Sequence, residues 1–516
     1  MNRPRLNKPN PAIERLYLEA EDAWGRLDYQ KSISLLKRAS RKDPSNPFLL
    51  LDVARACGQR YDYVAAKRYL EKAVQISLAR APILEEAGKV CFEFDELDMA
   101  MAYFRRSCQQ KDVSIGVLIT LADMYIRDRR LDEAAELIAR AAQMNQKEPR
   151  VLLEQAVLKR ARGEIHEAES RYRELLKNTG CTVPVRIRAS YGLGDILDGA
   201  GQYDEAMTVL LEAKAIQRTG AGPYAAELEH IQNRGKEMEQ TITASVMDRW
   251  RAVAEKLRPP RRIALVCGHP RSGTTLLEQV LDAHSDVISS EETKIMHDEA
   301  YLPLIRDFPE GTSILEALDL PPLSVICNAR DNYFRCTELL LRRQIGGRLL
   351  LDKNPALNLM IPMVVRIFPE TKYLVALRDP RDVIVSCFMQ ALPMTPISSA
   401  YLNFGSAVKQ YASVMGFWLE MLPRMGNQWM YVRYEEMVED LPGTARSVLE
   451  FLGLGYEAEV LSFYEHARAK RVKSPSHADV RKPLYRTAVG RWRNYEKYLE
   501  PYIARLQPLL RAFNYR

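Results

Sequence analysis

Gly268-His-Pro-Arg-Ser-Gly273-Thr274-Thr275 lies between an apolar run, Ile263-Ala-Leu-Val266, and a helix-like run, Leu276-Leu-Glu-Gln-Val-Leu281. Its G-x-x-x-x-G spacing is that of a loop that cradles phosphate, but Thr274 stands where nucleotide-hydrolysing loops carry lysine. A short buried strand, a glycine turn and a helix N-terminus make an anion site. Backbone N–H groups converge there, and the helix dipole favours negative charge. Ser272, Thr274 and Thr275 add neutral donors, and Arg271 adds a planar cation. The missing lysine argues against ATP or GTP hydrolysis. It argues for a terminal group less highly charged than a magnesium-bound triphosphate.

The elements that must position this loop begin at Arg261, where short apolar runs start to alternate with helical ones. Arg262–Cys267, Gly347–Leu351, Thr371–Leu377 and Trp429–Arg433 read as strands. Continuous apolar runs separated by helices imply a mostly parallel sheet covered on both faces. Ligands bind outside the carboxyl ends of such strands, where the loops starting at Gly268, Asp352 and Arg378 fall.

Four blocks in this half carry a resemblance. Pro270-Arg-Ser-Gly-Thr-Thr-Leu-Leu is followed by Asp282-Ala-His-Ser-Asp-Val and by Glu291-Glu292-Thr293. Asp352-Lys353-Asn354-Pro355 comes next, then Tyr373-Leu-Val-Ala-Leu-Arg378-Asp-Pro-Arg-Asp-Val-Ile-Val-Ser386, then Ser476-His-Ala-Asp-Val-Arg481-Lys482-Pro483. Together, over residues 261–500, they resemble the sulfotransferases, and most nearly the protein-tyrosine sulfotransferases. The resemblance implies a P-loop-like α/β domain that moves a sulfuryl group from 3′-phosphoadenosine 5′-phosphosulfate to an acceptor hydroxyl, with a protein tyrosine among the candidate acceptors. That donor needs two anion sites. The loop containing Arg271, Ser272, Gly273, Thr274 and Thr275 would hold the 5′-phosphosulfate. Arg378 and Ser386 would converge on the 3′-phosphate, and Arg481 and Lys482 are placed by the resemblance to close over the nucleotide.

In-line transfer needs a base for the acceptor hydroxyl and positive charge on the departing oxygen. By the same match, Glu292 falls on the family's base, with Glu291 as the fallback. Lys353 falls on the lysine that stabilises the leaving group, and Ser476 on an assisting serine. No metal is required, and no metal-ligand spacing appears. The tyrosine-sulfating relatives join two cysteines at places where this chain has Ser289 and Leu351, and they carry an arginine where it has Lys294.

Each residue taken singly has a plainer reading. The glutamate pair could cap a helix, the 378–382 run could be a salt-bridged turn, and Lys353 could be surface charge. Two anion sites, a base and a cation together favour chemistry. The competing classes are a repeat scaffold with an inactive nucleotide-binding domain and a P-loop kinase or NTPase; the latter requires a lysine at 274. His269, His284 and His297 form no ligand pair, and Trp492 reads as packing.

The other half of the chain is repetitive. Leu27-Asp28, Tyr61-Asp62, Leu97-Asp98, Leu131-Asp132, Ile165-His166 and Tyr203-Asp204 recur 34, 36, 34, 34 and 38 residues apart. This is the tetratricopeptide period with small insertions. Alanines 134, 168 and 206 sit three residues past their signatures, where paired helices approach closely. The expected architecture is an all-α tetratricopeptide solenoid over 12–218, whose concave face binds a peptide or protein. A linking helical segment over 219–260 then leads to the sulfotransferase-like domain over 261–516.

The bulk composition agrees. At 516 residues two or three domains are expected, and 47% hydrophobic with 27% charged residues is that of a soluble globular protein. A net charge of +7 permits anionic ligands without the concentrated basic stripe of a nucleic-acid binder. The N-terminus carries no apolar signal core, no run approaches the roughly 20 residues of a membrane span, and the eight cysteines are scattered. These features make a reduced cytoplasmic setting the expectation.

Overall fold

The computed structural model describes residues 10–257, 259–309, 311–469, 480, 484 and 487–516. Ser476, Arg481 and Lys482 therefore lie outside the described residues. The chain divides into two compact units, one ending at Ile196 and the other starting at Leu197.

The first unit is a series of helix pairs. Within it, Pro11–Gly25 pairs with Tyr29–Lys42, Pro47–Gln59 with Tyr63–Ile76, Ala81–Glu93 with Leu97–Cys108, Ile115–Arg127 with Leu131–Met144, and Pro149–Ala161 with Ile165–Lys177. Proline at the first turn fits because that N–H has no intrahelical acceptor. Asn10 and Asn46 cap the two helices that start at Pro11 and Pro47.

The turn inside each pair corrects the repeat register. Leu27, Tyr61, Asp95, Arg129 and Gly163 all have left-handed φ, and each is followed two residues later by the first residue of a helix. Tyr29, Tyr63, Leu97, Leu131 and Ile165 are the equivalent positions, evenly 34 residues apart. The first two sequence signatures fall two residues early, on the turn, because Asp28 and Asp62 are helix caps rather than first-turn residues. The apparent 36-residue repeat disappears. The corrected register also explains the small residues: Ser32, Ala66, Ala100, Ala134 and Ala168 occupy one position and are all buried. A larger side chain there would push the paired helices apart.

The boundary falls within helix Val183–Gly199, and the next helix of the second unit is Tyr203–Arg218, whose Ala206 keeps that same position. Two further helices, Gly222–Thr241 and Ala244–Ala252, lie in the linking segment over 219–260. The break falls in the β-branched run Thr241-Ile-Thr243, and the Thr243 hydroxyl accepts from Val246 N to start the second helix.

A five-stranded, all-parallel sheet carries the site. Its strands are β1 (Ile263–Gly268), β2 (Val287–Glu291), β3 (Leu349–Lys353), β4 (Lys372–Leu377) and β5 (Trp429–Arg433), in the order β2-β3-β1-β4-β5. The expected strands are β1, β3, β4 and β5. The sequence reading missed β2, a five-residue edge strand in which Ser289, Ser290 and Glu291 break the apolar run. Helix Thr274–Asp282 covers one face, and its Leu277, Val280 and Leu281 pack with Ala264, Val266 and Leu351 of the sheet.

Candidate active site

Parallel strands deliver all their carboxyl ends to one edge, and the sequence-predicted residues gather there. Gly268 ends β1 beside Ala376 of β4, while Val266 sits opposite Lys353 of β3. A Cβ on Gly268 would lie 2.3 Å from the Ala376 carbonyl oxygen, and its φ of 108° is one that L side chains rarely adopt. Gly273, with φ 93°, heads the helix Thr274–Asp282, and a Cβ there would lie 2.7 Å from the Tyr434 ring. Arg271 holds a left-handed φ of 71° without being glycine. Such strain concentrates where a loop is shaped for a ligand.

Asn358 fixes the start of the loop. Its Oδ1 accepts from Gly268 N at 3.0 Å and from Trp418 Nε1 at 2.9 Å, while its Nδ2 donates to the Gly268 carbonyl at 2.8 Å. His269 lies under the loop with Nδ1 2.9 Å from the Pro270 carbonyl, so Nδ1 carries the proton. Burial pushes its pKa down to about 4, which keeps the ring neutral. Ser272 donates its hydroxyl to the His269 carbonyl at 2.6 Å and is buried in the loop.

A cavity of about 940 Å³ opens above the loop. Arg271, Gly273, Thr274, Thr275, Glu292, Arg378 and Ser386 all face it, so the structure brings together most of the residues singled out from sequence. Arg271 Nε donates to Ser386 Oγ at 3.0 Å, which ties the loop to the helix Pro380–Met389. Arg378 follows β4. Its Nη1 donates to the Arg271 carbonyl at 3.2 Å, its Nη2 donates to the Ala488 carbonyl, and its Nε is buried with no partner among the described residues. A buried guanidinium with an unused donor is arranged for a further acceptor, and a phosphate oxygen is one.

Lys353 and Glu292 form the third element. Lys353 Nζ lies 2.6 Å from Glu292 Oε1 and 3.4 Å from Glu278 Oε2. Lys353 is 1% exposed and Glu278 is fully buried, whereas the Glu292 side chain is 46% exposed. Burial works against the ammonium, but Glu278, Glu292 and Glu291 outweigh it and the lysine pKa is raised. The surface-charge reading of Lys353 is excluded. Glu291 ends β2 with a left-handed φ and is itself buried. Beneath the pair, burial raises Asp352 to about 7, against a hydrogen bond from Tyr333 at 2.7 Å.

Sequence reasoning missed three supporting groups. Glu278 stands four residues after Thr274 on one helix, a spacing that puts both on one face. Its Oε1 accepts from Ser289 Oγ. Asp382 sits inside the run read as a salt-bridged turn. It lies 3.8 Å from Arg378 and accepts from Gly490 N at 2.7 Å and Trp492 N at 2.8 Å. Asn358 gave no signal, because the partners it holds at the loop and on Trp418 lie 90 and 60 residues away. The turn reading does hold for Arg381, which bonds Asp379 at 2.7 Å and stacks 3.9 Å over Trp492.

Residues 264–458 match the model of the sulfotransferase family, and residues 153–226 match that of the tetratricopeptide repeat. The chain thus carries tetratricopeptide repeats followed by a sulfotransferase-family domain. An uncharacterized protein of Aquifex aeolicus is 26% identical over 441 residues, which cover 81% of this chain and 54% of that protein. The protein-tyrosine sulfotransferase of Drosophila melanogaster is 26% identical over 45% of this chain and 46% of its own length. The chain thus spans about half the length of these two curated relatives. Among solved structures, the sulfotransferase domain of the Synechococcus PCC 7002 olefin synthase is 22% identical, with a TM-score of 0.34 over 45% of this chain and 88% of that one. Ser289 and Leu351, the positions where the resemblance implies joined cysteines in the relatives, are paired across β2 and β3.

Proposed function

We propose that the second unit is a sulfotransferase using 3′-phosphoadenosine 5′-phosphosulfate as donor. The observation that carries this reading is the linkage of two anion-binding sets, the 268–275 loop and Arg378 with Ser386, through the Arg271–Ser386 hydrogen bond. A donor with separate 5′-phosphosulfate and 3′-phosphate groups needs such a pair. Thr274 in place of lysine disfavours a magnesium-bound triphosphate.

Glu292, half-exposed on the cavity wall, takes the proton of the acceptor hydroxyl as its oxygen bonds to sulfur. The bond from sulfur to the bridging oxygen breaks in line, and the electron pair leaves on the 5′-phosphate of the nucleotide product. Lys353 donates to that bridging oxygen, moving off Glu292 as it does so and freeing the base. Glu278 remains behind it and holds the ammonium in place. By resemblance, Ser476 assists at the leaving oxygen, and Arg481 and Lys482 close over the nucleotide. A tyrosine hydroxyl is one candidate acceptor, a reading supported by the name of the Drosophila melanogaster relative. The repeats supply a surface for a protein partner or a protein acceptor.

Calorimetry tests the donor assignment. Adenosine 3′,5′-bisphosphate should bind to the full chain and Mg-ATP only feebly, and Arg378→Ala should weaken the former by about ten- to a hundredfold. Tight Mg-ATP binding with no preference for the bisphosphate would overturn the reading.

A further inference from the structure

We propose that Asp198 is a positioning residue for the 3′-phosphate end of the donor site, acting through the strap Ala488–Tyr495; this rests on the donor reading above. The strap crosses the cavity wall beside Arg378 and Ser386 and is pinned on two sides. On one side Arg378 Nη2 donates to the Ala488 carbonyl, and Asp382 accepts from the N–H groups of Gly490 and Trp492. On the other, Asp198 accepts from two side chains of the strap: Arg491 Nη2 on one oxygen and the Tyr495 hydroxyl on the other. Asp198 lies in the second unit, as do all these partners. Tyr495 is fully buried, and the Tyr203 ring meets it edge-on at 5.5 Å.

The physical consequence follows from where Arg378 spends its donors. Two of its nitrogens are held by backbone carbonyls, and one of those carbonyls belongs to the strap. Asp382 faces the same strap and the same guanidinium. A strap held by Asp382 alone would pivot about that carboxylate and carry the Ala488 carbonyl with it. Asp198, nearly 300 residues away in sequence from Tyr495, supplies the second fixed point. It therefore helps set the orientation in which the Arg378 guanidinium lines the cavity.

Charge and positioning predict opposite signs, so one comparison separates them. Removing the Asp198 carboxylate makes the cavity more attractive to any polyanion by charge alone. Loss of positioning does the reverse, and only for a ligand with a 3′-phosphate. The test is calorimetry on the full chain with adenosine 3′,5′-bisphosphate and with adenosine 5′-diphosphate, which lacks that phosphate. Asp198→Ala should weaken the bisphosphate by about five- to tenfold and move the diphosphate by less than about twofold. Tyr495→Phe, which removes one hydrogen bond without changing charge, should weaken the bisphosphate by about two- to threefold and covers the case in which Asp198→Ala fails to fold. Equal losses for both nucleotides, tighter bisphosphate binding, or no change would each overturn the proposal. If the unaltered chain binds no bisphosphate, the donor reading falls first and this inference with it.

Discussion

The two units solve opposite problems with their buried charge. In the repeat unit, ionic groups tie neighbouring helices together. Arg55 bonds Asp52, Glu86 and Glu93, and Arg188 bonds Glu154 and Asp123. The core around them is a run of alanine, leucine and valine. In the second unit, Lys353, Asp352 and Arg378 are buried at the carboxyl ends of β3 and β4, and Glu278 and Asp382 are buried on the helices Thr274–Asp282 and Pro380–Met389; Arg378 lines the cavity, and Lys353 bonds Glu292, which also lines it. Burial next to a cavity costs desolvation without the full return of a closed ion pair. That arrangement makes sense where a ligand is to complete the set. The first unit holds its buried charge in ion pairs between helices, and the second holds it beside a cavity.

Four measurements can break or sharpen that contrast, and the largest effect should come from the proposed base. Glu292→Gln should lower transfer by about 10²- to 10⁴-fold, with bisphosphate binding retained. Mass-spectrometric detection of the sulfated product reads it, and near-normal turnover would remove Glu292 from the chemistry. Next in size is the buried cation. Lys353→Met leaves Glu278 buried without its ammonium and should cost about 3–5 kcal/mol in urea unfolding. Adding Glu278→Gln should recover much of that loss. If the single variant is as stable as the parent, Lys353 is not held as described.

A change confined to the repeats should act on stability alone. Ala134 is fully buried where two helices meet, so Ala134→Leu should cost about 1–3 kcal/mol through overpacking. Bisphosphate affinity should not move, and a parallel loss of binding would show that the two units do not separate in this way. The smallest effect is in pH. Burial raises Glu154 from 4.5 to about 7, against the pull of Arg188, and raises Asp352 from 3.8 to about 7. A raised carboxyl contributes stability that is complete below its unfolded value and lost as pH rises through the folded one. Both units should therefore weaken between about pH 4 and pH 7. Hydrogen exchange should show Glu154→Gln flattening that fall in the helices of the first unit only.

Much of the fold was legible because it is local. The 34-residue spacing, the capping aspartates and the apolar strand runs are all written in neighbouring residues. Even there, the register slipped by two residues at Leu27 and Tyr61, since Asp28 and Asp62 look alike whether they cap a helix or begin one. The 268–275 loop was legible for the same reason: glycines, hydroxyls and a helix start lie within eight residues. Strand β2 was not, because its burial depends on β3 and not on an apolar pattern of its own.

From the order of its residues alone, this chain determined a helical repeat, a parallel α/β half and the candidate residues for two anion sites, a base and a cation. Its tertiary structure decided how those groups are supported. Asn358 bonds a residue 90 positions away, Lys353 reaches Glu292 across 61, and Asp198 grips Arg491 across 293. Helix and strand formation reads the nearest few residues, through hydrogen bonds and side-chain period. Which buried polar group satisfies which other depends on strand order and on chain returning from far away, and no local pattern contains that.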